Sequence, residues 1–193
     1  MTATDRPLLS PGRAAALPPE ERRSTIVAAT LPLLLEHGEA VTTRQIADAA
    51  GIAEGTIFRV FPDKDSVIRA VIDAVYDRNP LEEALSSIDV DRPLEQVLED
   101  GVAMLQERVV STFRVAAAVG PRFADTTRRG LVVSPWLVDV LTAHRKALTV
   151  KPAEAARVLH SLTLAITHPL LAAEPMTPRQ IVQLFLHGVG ASS

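Results

Sequence analysis

The chain has 193 residues, of which 47% are hydrophobic and 4% aromatic, and it carries a formal net charge of −3 at pH 7. The hydrophobic fraction excludes a chain that is disordered throughout, while the abundance of Ala and Leu favours helices over sheets. The sequence contains no cysteine, which excludes disulfides, thiol catalysis and zinc knuckles.

The distribution of apolar and charged residues constrains two classes of partner. No apolar run reaches the roughly 18 residues of a membrane span, and residues 1–19 lack the apolar segment of a secretory signal, so we expect a cytoplasmic protein with no membrane partner. Residues 1–78 hold 9 Lys and Arg against 11 Asp and Glu, and the remainder holds 11 against 12, so neither part is basic. A nucleic acid would therefore be bound by a few well-placed cations and backbone amides.

Residues 1–18 are predicted to form a flexible arm because prolines interrupt them. The first helix should begin near Pro19, which suits a first helical turn, and end at Gly38, which suits a C-cap. A second helix opens with the capping-box pattern of Thr42 and Gln45 and stops at Gly51.

A third, short helix is predicted at about 53–61, and Asp63 is a suitable N-cap for a fourth. The pair Asn79-Pro80 interrupts the apolar pattern of the fourth helix and is the predicted domain boundary. The sequence thus predicts three parts, which are the arm at 1–18, a helical domain at 19–79 and a second helical domain at 80–193.

Beyond this boundary, apolar spacing predicts helices at about 93–118, 135–149, 153–173 and 178–188. Two of them have well-marked starts: Ser134 precedes Pro135 as an N-cap, and Thr177 begins a second capping box with Gln180. The predicted fold is all-α, with an N-terminal three-helix helix-turn-helix domain followed by a C-terminal helical bundle.

The segment 42–64 carries the main functional signal. Two short helices are joined by Ala50-Gly51-Ile52, and Gly51 supplies the positive φ that such a corner needs. Gly55 inside the third helix costs roughly 1 kcal/mol relative to Ala, which makes sense if the backbone approaches another molecule. A compact corner with a short polar helix is what major-groove reading requires, and an ordinary corner between packed helices is the alternative.

The residue pattern resembles the DNA-binding domain of the TetR family of transcriptional regulators over about residues 22–76. The resemblance is carried by Thr43-Arg44-Gln45-Ile46-Ala47, Ala50-Gly51-Ile52, Gly55-Thr56-Ile57-Phe58, Phe61 and Lys64-Asp65. It implies an all-helical homodimer that binds double-stranded DNA at a palindromic operator, usually represses transcription and responds to a small-molecule effector. We expect no cofactor, no metal site and no catalytic residue.

The resemblance also implies roles for residues in the first half of the motif. Thr43 should bond a phosphate, and Arg44 beside it should reach a guanine edge. Glu54, Gly55 and Thr56 open the reading helix and should lie against base edges or nearby phosphates.

In the second half of the motif, Phe58 stands where the family usually has tyrosine. It keeps an apolar contact to a thymine methyl group but lacks the hydroxyl that would bond a phosphate. Arg59 should contact phosphate or base, and Lys64 should contact phosphate beside the free amides of the fourth helix. Ala53 and Val60 replace residues that commonly cap the helix or contact phosphate, which lowers the expected number of phosphate contacts.

The last two predicted helices have wide apolar faces. In the TetR family the corresponding pair forms a four-helix interface between two subunits, which supplies the two-fold symmetry that an operator needs. The resemblance therefore implies a dimer interface made of Leu159, Leu162, Ile166, Ile181, Leu184 and Phe185. Burial of these faces within a single chain is the alternative.

A sensing pocket is expected between the helices predicted at about 93–118, 135–149 and 153–173. The candidate lining residues are Met104, Leu105, Phe113, Trp136, His144, His160 and Thr163. Each has the alternative of being an ordinary core or surface residue. His160, Thr163 and Thr167 lie on one helical stripe, which would line a cavity or form the polar seam of the interface.

Two other functions fit the sequence less well. An enzyme is disfavoured because no His-Glu-x-x-His motif, nucleophile elbow or phosphate loop occurs, and His160 and His168 lack a third metal ligand nearby. A helical protein-interaction module without operator binding is the other alternative. Unchanged promoter occupancy in variants of Arg44 and Thr56 would support it.

Overall fold

The computed structural model describes residues 18–127 and 130–188, and these residues form ten α-helices and no β-strand. Residues 1–17 of the predicted arm lie outside the described residues. The helices are α1 Pro19–His37, α2 Thr43–Ala50, α3 Glu54–Ile57, α4 Lys64–Tyr76, α5 Asn79–Ser86, α6 Leu94–Val119, α7 Ala124–Thr127, α8 Pro135–Ala143, α9 Pro152–Thr167 and α10 Pro178–His187. Short 3-10 turns lie at Gly38–Ala40, Pro121–Phe123 and Arg145–Ala147.

The apolar residues form two cores. The N-terminal core joins α1 to α4 and is made mainly of Ile26, Leu34, Ile46, Ile57, Phe61, Val67, Ile68, Val71 and Ile72. The C-terminal core joins α5, α6 and α8 to α10 and is made mainly of Leu85, Val97, Leu98, Val102, Trp136, Leu137, Leu141, Leu159, Ile181 and Val182. The all-α fold that the sequence predicted is confirmed.

The long helix α6 belongs to both cores. Its first half places Val97 and Leu98 in the C-terminal core, while its second half places Val115 and Val119 in the N-terminal core. Phe123, in the 3-10 turn that follows, is also buried there. The N-terminal core is therefore not closed by residues 19–79 alone.

The ends of several helices differ from the prediction. Helix α4 ends at Tyr76, and the pair Asn79-Pro80 begins the next helix, α5, because proline is tolerated in a first helical turn. Helix α9 stops at Thr167, well before residue 173, because Pro169 disfavours helical dihedrals at the preceding His168. The helix predicted at 135–149 ends at Ala143 and is followed by the turn Arg145–Ala147.

The two predicted N-caps of the C-terminal half have different outcomes. Thr177 forms the expected capping box with Gln180 at the start of α10. Ser134 precedes α8, but its hydroxyl makes no capping bond and instead donates to the carboxylate of Glu82 on α5 (2.8 Å). The N-terminal end of α8 is thus tied to α5. None of the described helices is both long and apolar enough to cross a bilayer.

Candidate nucleic-acid interface

Bonds that are local in sequence fix the corner between α2 and α3. The Thr42 hydroxyl accepts a hydrogen bond from the Gln45 backbone N–H (3.2 Å), and the Gln45 side chain accepts one from the Thr42 backbone N–H (2.9 Å). Gly51 lies in the left-handed region with φ 66° and ψ 32°, and its N–H donates to the Asp48 carbonyl (3.2 Å). The predicted capping box and the predicted positive φ are both confirmed.

Helix α3 is shorter than predicted. Its helical residues end at Ile57, and the chain continues in hydrogen-bonded turns in which the Phe61 N–H donates to the Ile57 carbonyl (2.8 Å). Gly55 and the β-branched Thr56 and Ile57 have low helix propensity, and Pro62 follows directly, so a longer helix is not favoured. The segment still closes the corner because Ile57 and Phe61 are buried beneath it.

The outer face of the corner is called the reading surface here, and it is made of the exposed residues Arg44, Glu54, Gly55, Phe58 and Arg59. Thr43 and Thr56 lie partly exposed within it. Phe58 is 52% exposed, so a large aromatic ring stands in water. Two cations, one carboxylate, one ring and a bare stretch of backbone suit contact with phosphates, base edges and thymine methyl groups.

Nothing within the described part of the chain requires glycine at position 55. A Cβ atom built at this position meets no heavy atom within 4 Å, and the backbone there does not have a positive φ. Alanine would therefore fit, and it would favour the helix by roughly 0.5–1 kcal/mol. A glycine at this exposed position leaves room for another molecule to come close to the backbone.

Two residues expected to contact phosphate are engaged within the chain. The Thr43 hydroxyl donates to the Glu54 carboxylate (2.5 Å), which joins the start of α2 to the start of α3. The Lys64 ammonium donates to the backbone carbonyl of Glu39 (2.7 Å), and its predicted phosphate contact stays a prediction.

A cation that the sequence reasoning missed lies behind this turn. The Arg122 guanidinium donates to the carboxylates of Glu39 (3.3 Å) and Asp65 (2.6 Å) and so links the end of α6 to the start of α4. The partners are 83 and 57 positions away in sequence, so no local pattern predicts them.

The start of α4 is capped as predicted. The Asp63 carboxylate accepts hydrogen bonds from the hydroxyl (2.6 Å) and the backbone N–H (2.7 Å) of Ser66. These two bonds hold the pKa of Asp63 below its ordinary value. On α1, Arg23 places its guanidinium 4.4 Å from the centroid of the Phe61 ring and adds a cation near the corner that the sequence did not indicate.

The seven predicted pocket residues are not brought together. Leu105 and His160 line a cleft of about 380 Å³, called the α6–α9 cleft here, which lies between α6 and α9 and is bordered by the region after α4 and by residues 130–132. Trp136 and His144 instead line a separate cleft of about 490 Å³. Only two of the seven therefore share the α6–α9 cleft.

The other three predicted pocket residues lie elsewhere. Phe113 packs against the edge of the His168 ring, with centroids 4.9 Å apart. Thr163 is buried, and its hydroxyl donates to the Leu159 carbonyl within α9 (2.8 Å), while Met104 packs half-buried against the C-terminal core. Among the described residues, no three His, Asp or Glu side chains are grouped so that they could hold a metal ion.

The predicted interface residues fall into two groups. Leu159 and Ile181 are fully buried in the C-terminal core, because α9 and α10 both pack against α6, and neither has surface to offer to a partner. Leu162, Ile166, Leu184 and Phe185 are half-buried on the same two helices. Val158 on α9 is 51% exposed.

Comparisons with known proteins fit this arrangement. A family model described as bacterial regulatory proteins of the tetR family matches residues 26–71. The HTH-type transcriptional repressor Rv3405c of Mycobacterium tuberculosis is 32% identical over 144 residues, which make up 68% of this chain and 73% of that protein.

Two solved structures show the same fold at low sequence identity. A regulator of the TetR/AcrR family from Thermobifida fusca is 17% identical with a TM-score of 0.60, and the match covers 89% of this chain and 100% of that chain. Thermus thermophilus FadR, a TetR-family repressor solved in complex with lauroyl-CoA, is 20% identical with a TM-score of 0.52, covering 89% and 96%.

Proposed function

The chain belongs to the TetR family of bacterial regulatory proteins and is a transcriptional regulator with a helix-turn-helix DNA-binding domain, and from this premise we propose that it is a dimeric repressor. In this proposal the dimer binds a palindromic operator through two copies of the reading surface, and a small-molecule effector releases it. A regulator of this kind acts where DNA is, which agrees with the expected cytoplasmic location.

The bare backbone at Gly55 is the observation that carries the DNA contact. Arg44, Glu54 and Arg59 surround a position where the chain forgoes an alanine that would fit. Close approach of a DNA strand to this backbone accounts for the missing side chain, and the arginines supply contacts to phosphates or to guanine.

The half-buried apolar face of α9 and α10 supports the dimer. Leu162, Ile166, Leu184 and Phe185, together with the exposed Val158, offer an apolar surface on two adjacent helices. Pairing this face with its copy gives an isologous contact with a two-fold axis, and the two reading surfaces then meet two half-sites of a palindrome.

The experiment that tests operator binding selects genomic DNA fragments on the purified protein and sequences them. We expect an enriched palindrome with half-sites about one helical turn, or a multiple of it, apart. Binding to the selected site is then measured by fluorescence anisotropy for the wild type, for Arg44→Ala and for the control Arg145→Ala, whose side chain is exposed next to α8.

We expect Arg44→Ala to weaken operator binding by about 1–3 kcal/mol, as loss of a base contact does, while Arg145→Ala binds as the wild type does. No enriched motif, or equal binding by Arg44→Ala, would instead favour a helical protein-interaction module. Sedimentation of Leu184→Glu tests the dimer, since a charge in this face should shift the protein to monomer.

A further inference from the structure

The α6–α9 cleft has the dimensions of a small-molecule site, and its lining indicates what kind of molecule it takes. Its volume of about 380 Å³ falls within the range of ligand pockets in proteins. Apolar side chains make up much of its wall, including Leu105 and Val109 on α6 and Leu164 on α9. A ligand that fills it therefore has an apolar body.

The charges at the wall of the cleft are positive. Among the described residues that line it, the charged ones are Arg78 and Arg108, and no carboxylate is with them. Glu82, which does not line the cleft, forms an ion pair with Arg78 (3.0 Å) and also accepts a hydrogen bond from the Ser134 hydroxyl. The charged side chains that line the cleft itself are thus guanidinium groups, which favour an anion over a cation as the bound group.

The Arg78 guanidinium has N–H groups that make no hydrogen bond within the described chain. A guanidinium has five N–H groups. Two of them donate hydrogen bonds here, one to the Val132 carbonyl (2.7 Å) and one to the Glu82 carboxylate (3.0 Å). A planar guanidinium with remaining N–H groups is suited to a carboxylate or to a similar oxyanion.

His160 contributes a polar atom that has no partner. Its Nδ1 atom is buried and makes no hydrogen bond with any described residue. Burial first, and the charge of Arg78 second, hold the pKa of this imidazole below its ordinary value. A buried polar atom without a partner calls for an explanation, and a ligand that supplies the missing group is one.

The border of the cleft is apolar and open to water. Leu131 is 44% exposed and Val132 is 61% exposed, and both line the cleft. Large apolar side chains left in water beside a cavity are a feature of binding sites. The apolar body of a ligand would cover them.

We propose that the α6–α9 cleft binds a small amphipathic anion, whose acidic group meets Arg78 and His160 and whose apolar chain lies along Leu105, Val109 and Leu164. Such a molecule is the effector if the proposed function holds, but its binding does not depend on DNA binding. Arg108 gives the site a link to the N-terminal half, because it donates to the carbonyls of Val75, Tyr76 and Asp77 at the end of α4 (2.6–2.7 Å).

The test compares three probes with the same eight-carbon chain, which are octanoate, octan-1-ol and octylammonium, by isothermal titration calorimetry on the full chain. We expect octanoate to bind about tenfold more tightly than the other two, because a charge-assisted bond adds to the apolar contact. Equal or tighter binding of the alcohol or the ammonium, or no saturable binding of octanoate, would overturn the proposal.

Variants locate the site. Arg78→Gln and His160→Leu should each weaken octanoate binding while leaving octan-1-ol binding almost unchanged, and Leu164→Trp, which fills the cleft, should weaken both. Arg145→Gln is the control for loss of a positive charge elsewhere. Octanoate binding that is unaffected by Arg78→Gln and by Leu164→Trp would show that the anion binds at another place.

A measurement on the wild type guards against variants that do not fold. In imidazole NMR spectra, octanoate should raise the pKa of His160, since a nearby anion stabilises the imidazolium, and octylammonium should not. An unchanged His160 pKa in saturating octanoate overturns the proposal. Operator binding without ligand is measured in parallel, so failure there counts against the proposed function and leaves the anion site standing.

Discussion

The two halves of the molecule treat their polar groups differently. In the N-terminal core, the buried hydroxyl of Thr30 donates to the Ile26 carbonyl (2.7 Å), and none of the described side chains there has a buried polar atom without a partner. In the C-terminal half, Trp136 Nε1 and His160 Nδ1 are buried, and neither has a partner among the described residues.

This difference fits two kinds of recognition. The N-terminal half presents an outward surface to a large partner, so it needs a firm core and exposed side chains. The C-terminal half has two clefts that are each lined by a residue with a buried, unpaired polar atom, which suits small molecules that enter from solvent. Four predictions test how far this division holds, beginning with the largest expected effect.

The first prediction asks whether the halves are separate in stability. Phe123 follows α6 in sequence but is 1% exposed in the N-terminal core. Phe123→Ala should lower the free energy of unfolding by about 3–5 kcal/mol, measured by urea denaturation, because it leaves a cavity there. The matched control is Leu171→Ala, whose side chain is 69% exposed. A small change for Phe123→Ala would show that the N-terminal core closes without the segment after α6.

The second prediction compares the two capping boxes. Thr42→Ala and Thr177→Ala should each cost about 1 kcal/mol of unfolding free energy, since each removes one cap of a helix start. Thr42→Ala alone should also weaken operator binding, because α2 carries part of the reading surface. Equal loss of DNA affinity in both variants would mean that the effect runs through general stability.

The third prediction separates stability from function at one residue. Gly55→Ala should raise the unfolding free energy by about 0.5–1 kcal/mol and at the same time weaken operator binding, since the new methyl group occupies space that DNA uses. Gly51→Ala is the contrast, because its φ of 66° makes any side chain strained and the variant should lose stability. Undiminished DNA affinity in Gly55→Ala would remove the main support for the reading surface.

The fourth and smallest effect concerns pH. Because the pKa of His160 is lowered in the folded chain, the unfolded chain takes up a proton first as pH falls below the ordinary value of about 6.5. The free energy of unfolding of the wild type should therefore fall as the pH drops from about 6.5 to the lower pKa of the folded chain. Above about pH 6.5, His160 should cause no such loss. The urea midpoint of His160→Leu should fall less over the same pH interval, and an equal fall would place the titration in another group.

Local chemistry explains what the sequence predicted well. The capping boxes, the positive φ of Gly51 and the Asp63 cap each depend on residues within three or four positions, so they are visible in the sequence. The exposed residues of the reading surface followed from the family resemblance and the helical spacing. The hydrogen bonds that Thr43 and Lys64 make within the chain were not predicted, because their partners Glu54 and Glu39 lie 11 and 25 positions away.

The C-terminal half was harder to predict because several helices compete for the same apolar residues. Leu159 and Ile181 have the spacing of interface residues, yet both face α6 and are buried within the chain. Trp136 and His160 were both predicted to line one sensing pocket, but they lie on α8 and α9 and line different clefts. Apolar periodicity shows that a face is buried and does not show which partner buries it.

The shared helix α6 also limits how this chain can change in length. Its 26 residues make a rod of about 39 Å, with Val97 seated in one core and Val119 in the other. One residue inserted between Leu105 and Val115 would turn one end about 100° relative to the other and put the two apolar stripes out of phase. Insertions should therefore accumulate in the connections at 87–93 and 148–151, where no such phase has to be kept.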